Sequence, residues 1–171
     1  MLEKYSEHAN ILLKQLPKGV FITVRGETQD NTMVIAWGHI GVIWGRPMFI
    51  AYVRYSRYTY DLLREAQDFT INVPVENPLK EGLKLAGTQS GRDVDKFAQG
   101  VLTKAKSKHV LSPIIKECNL HYECKLVYTQ TQEPALIPEE IKARYYKDHD
   151  THIMFYGEIV DTYYIKGESD E

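Results

Sequence analysis

Short β-forming runs cut by turn residues constrain this chain more than any other feature. Residues 20–24 (VFITV), 33–37 (MVIAW), 48–53 (MFIAYV) and 69–73 (FTINV) are rich in β-branched and aromatic side chains, and Gly, Pro, Asn or Asp bounds each run. Runs this short suit strands better than helices, and the close spacing of the first ones predicts hairpins. Further on, Leu120, Tyr122, Cys124 and Leu126 alternate with His121, Glu123 and Lys125, the two-residue period of a half-buried strand. That period puts both cysteines, Cys118 and Cys124, on its apolar face. A last strand is expected near 153–160.

Helical signals are shorter. Tyr5, Ala9, Leu12, Leu13 and Leu16 recur at helical spacing before Pro17, which predicts an amphipathic helix over 5–16. A helix over 59–66 has Thr59 as its N-cap, two more are expected near 79–86 and 93–99, and Pro138 with two glutamates opens another over 138–146. The chain closes on an acidic tail, Glu168, Asp170 and Glu171. Six or so strands with short helices between them predict a mainly β fold, an antiparallel barrel or sandwich with peripheral helices; a doubly wound parallel sheet fits poorly. At 171 residues the expectation is one domain spanning 1–171.

Charge narrows the function classes. With 21 Lys+Arg against 23 Asp+Glu the net charge is -2, so no whole-chain field draws the protein to nucleic acid or anionic lipid, and any basic site is local. The first sixteen residues are charged throughout and do not read as a secretion signal, and no stretch approaches the roughly 18 apolar residues of a membrane span. The expected compartment is therefore the cytoplasm. Two cysteines without C-x-x-C spacing are expected to be free thiols.

Arg54, Ser56, Arg57 and Thr59 form the densest polar cluster, at a strand end that opens a helix. Two guanidiniums, hydroxyls and free helix N–H groups favour a dianionic phosphate, although the same residues also read as a solvated turn with Thr59 capping. Asp61 competes with any anion there. Ser90 and Asp93 have capping-box spacing, with Arg92 and Lys96 nearby to face an acidic ligand. Residues 31–38 (NTMVIAWG) read either as a core strand or as a strand whose backbone lies against an aromatic ligand. Asp148, His149 and His152 resemble part of a metal site, but no third His or Cys stands at ligand spacing, so no metal is expected. Dinucleotide-binding and P-loop glycine motifs and the G-x-S-x-G elbow are missing from the sequence.

Taken in order, residues 17–20, 31–37, 54–59, 69–74, 90–97, 123–125 and 152–160 resemble the flavin reductase-like family, particularly its flavoredoxin-type members, over 17 to 160. The resemblance implies an FMN-binding split β-barrel, antiparallel and Greek-key-like, usually a homodimer with flavin near the subunit interface. Met33, Val34, Ala36 and Trp37 would line the isoalloxazine ring. Arg54, Ser56, Arg57 and Thr59 would hold the phosphate, and Ser90, Gly91, Arg92 and Lys96 would complete the pocket. His152 matches a histidine of the family's last barrel strand. Residues 129–150 depart from the pattern. The implied function is an FMN-dependent oxidoreductase fed by NAD(P)H or a redox protein, the alternative being a non-enzymatic flavin- or haem-binding module on the same barrel. FMN supplies its own redox chemistry, which accounts for the lack of a catalytic triad.

Overall fold

The computed structural model describes residues 1–167, so the acidic tail of Glu168, Asp170 and Glu171 lies outside the described residues. Nine strands form among the described residues: β1 Val20–Val24, β2 Asn31–Ile35, β3 Gly38–Ile43, β4 Arg46–Arg54, β5 Asp68–Val73, β6 Lys104–Ala105, β7 Ile114–Ile115, β8 Leu120–Thr131 and β9 His152–Tyr164. Four helices accompany them: α1 Ala9–Gln15, α2 Tyr58–Glu65, α3 Lys80–Thr88 and α4 Glu139–Tyr145. Seven strands make one antiparallel sheet in the order β2-β1-β5-β8-β9-β4-β3, while β6 and β7 pair as a separate ribbon.

That order forces the sheet to roll. β2 and β3 are its opposite edges, and six strand spacings would hold flat edges about 29 Å apart. Only Ala36 and Trp37 connect them, and the three Cα steps from Ile35 to Gly38 reach at most about 11 Å. The sheet therefore closes on itself as a barrel split along the β2/β3 seam. Register shifts in the β8/β9 pairing, at Glu123/Cys124 and Leu126/Tyr128, help these long strands bend. Gly157 is needed there, because a Cβ would collide with the Phe69 ring and Cys124.

Val20, Ile22 and Val24 of β1, Phe69, Ile71 and Val73 of β5, and Leu120, Tyr122 and Cys124 of β8 fill the barrel. β1 and β5 are buried on both faces, which explains their unbroken apolar look. On the outer side Phe21 packs with Ala86 of α3 and with Leu102, Ile115 and Cys118 of the 100–119 segment. Cys118 and Cys124 thus belong to different clusters, contrary to the single face expected, because Cys118 precedes the strand. Both thiols are free and buried. His121 and Glu123, expected to be solvated, are buried as well, because the 104–115 segment covers that side of the sheet. Glu123 accepts the Lys108 and His109 N–H groups and the Tyr163 hydroxyl; Asp68 accepts the Leu111 and Ser112 N–H groups.

Other local expectations also shift. The first helix is shorter than 5–16, and Pro17 lies inside a 3-10 turn, Leu16–Lys18, that prolongs it, since proline is tolerated in a first helical turn. β2 ends at Ile35, so Ala36 and Trp37 leave the strand to make the seam crossing. β3 was not expected, since its two glycines and its histidine dilute the β signal. No helix forms over 93–99: Asp95 accepts the Phe97 and Ala98 N–H groups in a local turn instead.

The buried His121 gives the fold a pH dependence. Asn72 uses its amide nitrogen on Thr23 and Thr70 and its oxygen on Ile115 N–H, so His121 Nδ1 donates to that oxygen, at 2.8 Å, and Nε2 carries the lone pair. Burial chiefly, with a contribution from nearby Lys108, pushes His121 down to about 4. Between pH about 6.5 and about 4 the unfolded chain binds a proton that the folded chain refuses, so stability falls as pH falls through that window and levels off below it. Urea titrations of the parent should show this fall, and His121→Gln should flatten it by up to about 1.4 kcal/mol per pH unit. Parallel pH profiles for the two proteins would refute the assignment.

Candidate functional site

Two adjoining clefts open along the seam. The first, about 200 Å³, lies over the start of α2. Asn31, Ser56, Arg57 and Thr59 form one side, and Ser90, Gly91, Arg92 and Lys96 the other. The second, about 290 Å³, is walled by Ala36 and Trp37 of the crossing, Tyr52 and Arg54 of β4, and His152 of β9. Met33, Val34 and Arg57 line both, which makes one groove with an anion end and a ring end. Together the two halves lie in the size range of a small-molecule site. All twelve binding positions expected from the sequence, and His152, border this groove. Asn31 and Tyr52 also border it, beyond the positions the sequence predicts. The two-residue period that places Arg54 beside the groove also places Tyr52 there.

The anion end is built at a strand-to-helix junction. Arg57 is the N-cap of α2 in an extended conformation, and no side chain caps the helix. Thr59 does not take the capping role expected for it; it is the second residue of the helix and buried, and its Oγ1 accepts Asn31 Nδ2 at 2.9 Å. The first N–H groups of α2 therefore lack a side-chain acceptor. Asn31 Oδ1 is buried with no partner of its own. Gly91 passes so close that a Cβ would run into that oxygen and the Tyr58 ring.

The four cations differ in how far they are committed. Arg92 Nη1 donates to Ser56 O at 3.0 Å and Nη2 pairs with Asp61 at 2.5 Å, which removes Asp61 as a free competitor for an anion. Lys96 is buried and donates to Thr32 O at 2.7 Å and Ala86 O at 3.1 Å, stapling β2 to α3 across the groove floor. Burial, reinforced by Arg57, pushes Lys96 down to about 8, so it is still mainly charged at neutral pH. Arg54 donates to the Asp150 and Tyr145 carbonyls. Of the four, only the Arg57 side chain makes no hydrogen bond or ion pair to a described residue; its backbone N–H donates to Arg54 O. Ser90 Oγ accepts the Arg92 N–H in a single turn that does not continue as a helix.

At the ring end Trp37 is half-exposed, with the His152 ring 4.9 Å away and the Tyr145 ring edge-on at 5.2 Å. His152 Nδ1 lies 2.9 Å from the Tyr146 hydroxyl. Burial first, then Arg54, pushes His152 down to about 4, so the groove presents a neutral imidazole at physiological pH. His149, by contrast, is exposed and in the left-handed backbone region, with φ 60. Among the described residues no group of three or more His, Cys, Asp or Glu side chains converges as metal ligands.

A split antiparallel barrel whose seam joins a cationic end to a flat aromatic end defines a class of small barrels suited to a phosphorylated ring compound. The model of the flavin reductase like domain matches residues 13–171, and the chain belongs to that family. An uncharacterized protein of Archaeoglobus fulgidus is 34% identical over 122 residues, 71% of this chain and 68% of that protein. Flavoredoxin of Desulfovibrio vulgaris (Miyazaki F) superposes with a TM-score of 0.66 at 28% identity, covering 88% of this chain and 69% of that one. Flavoredoxin from Methanosarcina acetivorans gives 0.67 at 26%, covering 86% and 68%. An FMN-binding protein from Thermus thermophilus, solved with 1-cyclohex-2-enone, gives 0.67 at 23% over 87% and 71%, a likeness of fold.

Lys96 and Arg57 separate scaffold from site. Lys96→Met strands two buried carbonyls and is expected to cost about 1–3 kcal/mol. Arg57→Ala, at an exposed and unpaired position, should stay within about 0.5 kcal/mol of the parent. Urea midpoints at constant m-value measure both.

Proposed function

We propose that the seam groove binds FMN and that the chain is an FMN-dependent oxidoreductase of the flavin reductase or flavoredoxin type, fed by NAD(P)H or a redox protein. The observation that carries this reading is Arg57, a guanidinium without a partner among the described residues, at an uncapped helix start and at the joint between the two halves of the groove. A dianionic phosphate fits those donors through charge-assisted hydrogen bonds and the helix dipole. The unpartnered Asn31 Oδ1 is suited to a ribityl hydroxyl, and the Met33, Val34 and Trp37 end offers an apolar slot for a tricyclic ring.

When bound, FMN supplies hydride or single-electron transfer. The chain's own contribution is positional. Lys96 fixes the groove floor, Gly91 lets the backbone approach, and Arg57 anchors the charged terminus. His152, neutral and tied to Tyr146, offers one ring nitrogen to the groove as donor or acceptor without adding charge beside the ring.

The purified protein is expected to be yellow, or to turn yellow with added FMN, and to bleach with NADH, NADPH or a reduced redox protein without oxygen. Yellow protein inert to every donor would support the non-enzymatic binding module; failure to bind FMN would reject both readings. Arg57→Ala should weaken FMN by about 1.5–3 kcal/mol, the worth of a hydrogen bond to a charged group. Unchanged affinity would remove Arg57 from the clamp.

The same reading includes a homodimer. Trp44, 64% exposed at the β3–β4 turn, lies 5.9 Å from Tyr128 and 6.5 Å from Tyr156, an aromatic cluster on the outer face of the sheet. Such a patch favours a partner surface over water. Sedimentation should show a dimer that Trp44→Lys weakens at least about tenfold, the lower range for an interfacial aromatic anchor. A monomeric parent would end this part. Among the described residues no helix is long and apolar enough to cross a membrane, which is compatible with the cytoplasmic placement we propose.

A further inference from the structure

The excursion between β8 and β9 is attached in an unusual way. Its helix α4 and its 3-10 turn, Pro134–Leu136, bury no side chain, and Tyr146 is the only buried residue from 131 to 150. Apolar packing therefore contributes little, and polar contacts hold it down. They converge on one short stretch at the end of β4. Asp150 Oδ1 accepts Ser56 N–H at 3.1 Å and its Oδ2 accepts Ser56 Oγ at 2.5 Å. Arg54 donates to Asp150 O at 2.5 Å and Tyr145 O at 2.8 Å, and its guanidinium lies 5.2 Å from the Tyr146 ring centre. The far side of the same loop sets the Tyr145 ring on Trp37 and the Tyr146 hydroxyl on His152.

We propose that residues 145–151 form a lid over the ring end of the groove, latched by the Asp150 carboxylate on Ser56, and that this latch sets how bulky an electron acceptor reaches Trp37 and His152. A segment with almost no buried apolar surface opens at low free-energy cost, and its opening equilibrium depends on its few charge-assisted hydrogen bonds. Asp150 is thus a positioning residue that acts through Tyr145 and Tyr146. The inference rests on the flavin reading only for what the lid screens, since the latch itself is a property of the chain.

The decisive variants are Asp150→Asn, which keeps the size but not the charge, and Ser56→Ala, which removes the hydroxyl donor from the other side. In a Trp44→Phe background, acrylamide quenching of Trp37 fluorescence reports access to the ring end with no flavin present, and timed trypsin cleavage after Arg144 and Lys147 reports loop opening. Both variants should raise cleavage about tenfold and increase quenching in parallel, as expected for loss of one hydrogen bond to a charged group. With FMN and an electron donor, Asp150→Asn should raise kcat/KM for a bulky protein acceptor more than for a small quinone, and Asp150→Glu should restore part of the parent ratio. Faster cleavage without added quenching, or no change in either, would overturn the lid. Failure of FMN binding would leave the quenching and cleavage results standing, so the two readings fail separately.

Discussion

A two-residue crossing governs this structure. Ala36 and Trp37 join the two edge strands of a seven-stranded sheet, and that short reach rolls the sheet into a barrel while leaving the edges unpaired. An unpaired seam costs the fold its continuous ladder there, but it creates a groove whose ends differ in chemistry. The aromatic end follows from the crossing itself, which carries Trp37 out of the strand and beside His152. The anion end follows from the return of β4 into α2, which brings an uncapped helix start to the same seam.

Polar burial does the complementary work on the other side of the barrel. Asp68 and Glu123 each accept two backbone N–H groups from the 107–112 stretch, so charge-assisted hydrogen bonds hold an irregular segment that has few strands of its own. His121, Asn72, Thr70, Thr23 and Thr32 continue that layer as neutral hydrogen-bonded groups. The apolar barrel core and this polar layer let β1 and β5 be buried on both faces, the rigid centre from which the groove is built.

Much of this was legible in the residues. Val, Ile, Phe and Thr runs located four strands to within two residues at each end, and the 120–126 alternation located β8. The groove positions came from the order of motifs shared with the family; of them only Arg54, Ser56, Arg57 and Thr59, as a basic, hydroxyl-rich helix start, stood out by their own chemistry, and the close approach at Gly91 is visible only in the fold. What the sequence concealed was set by tertiary partners. Thr59 has the chemistry of a cap, yet Asn31, distant in the chain, claims its hydroxyl. Asp93 has capping-box spacing, yet Asp95 ties up the Phe97 and Ala98 N–H groups and no helix follows. The burial of His121 and Glu123 depends on a segment whose covering role no two-residue period reports, and the pairing of Arg92 with Asp61 joins charges that sequence distance keeps apart.

The stretch from 54 to 57 ties these parts together. Arg54 and Ser56 have their donors turned to the 145–151 loop, whereas the guanidinium of Arg57, next in the chain, borders the groove with no partner among the described residues. Three cations that a charge count would assign to a ligand are therefore already committed: Arg54 to the loop, Arg92 to Asp61 and Lys96 to backbone carbonyls. In the proposed reading, the groove's pull on an anion would rest on one guanidinium and a helix start, reinforced by the nearby but partnered charges. Cationic residues that hold scaffold still raise the local potential, and because they do not have to rearrange when a ligand arrives, that potential is preorganised.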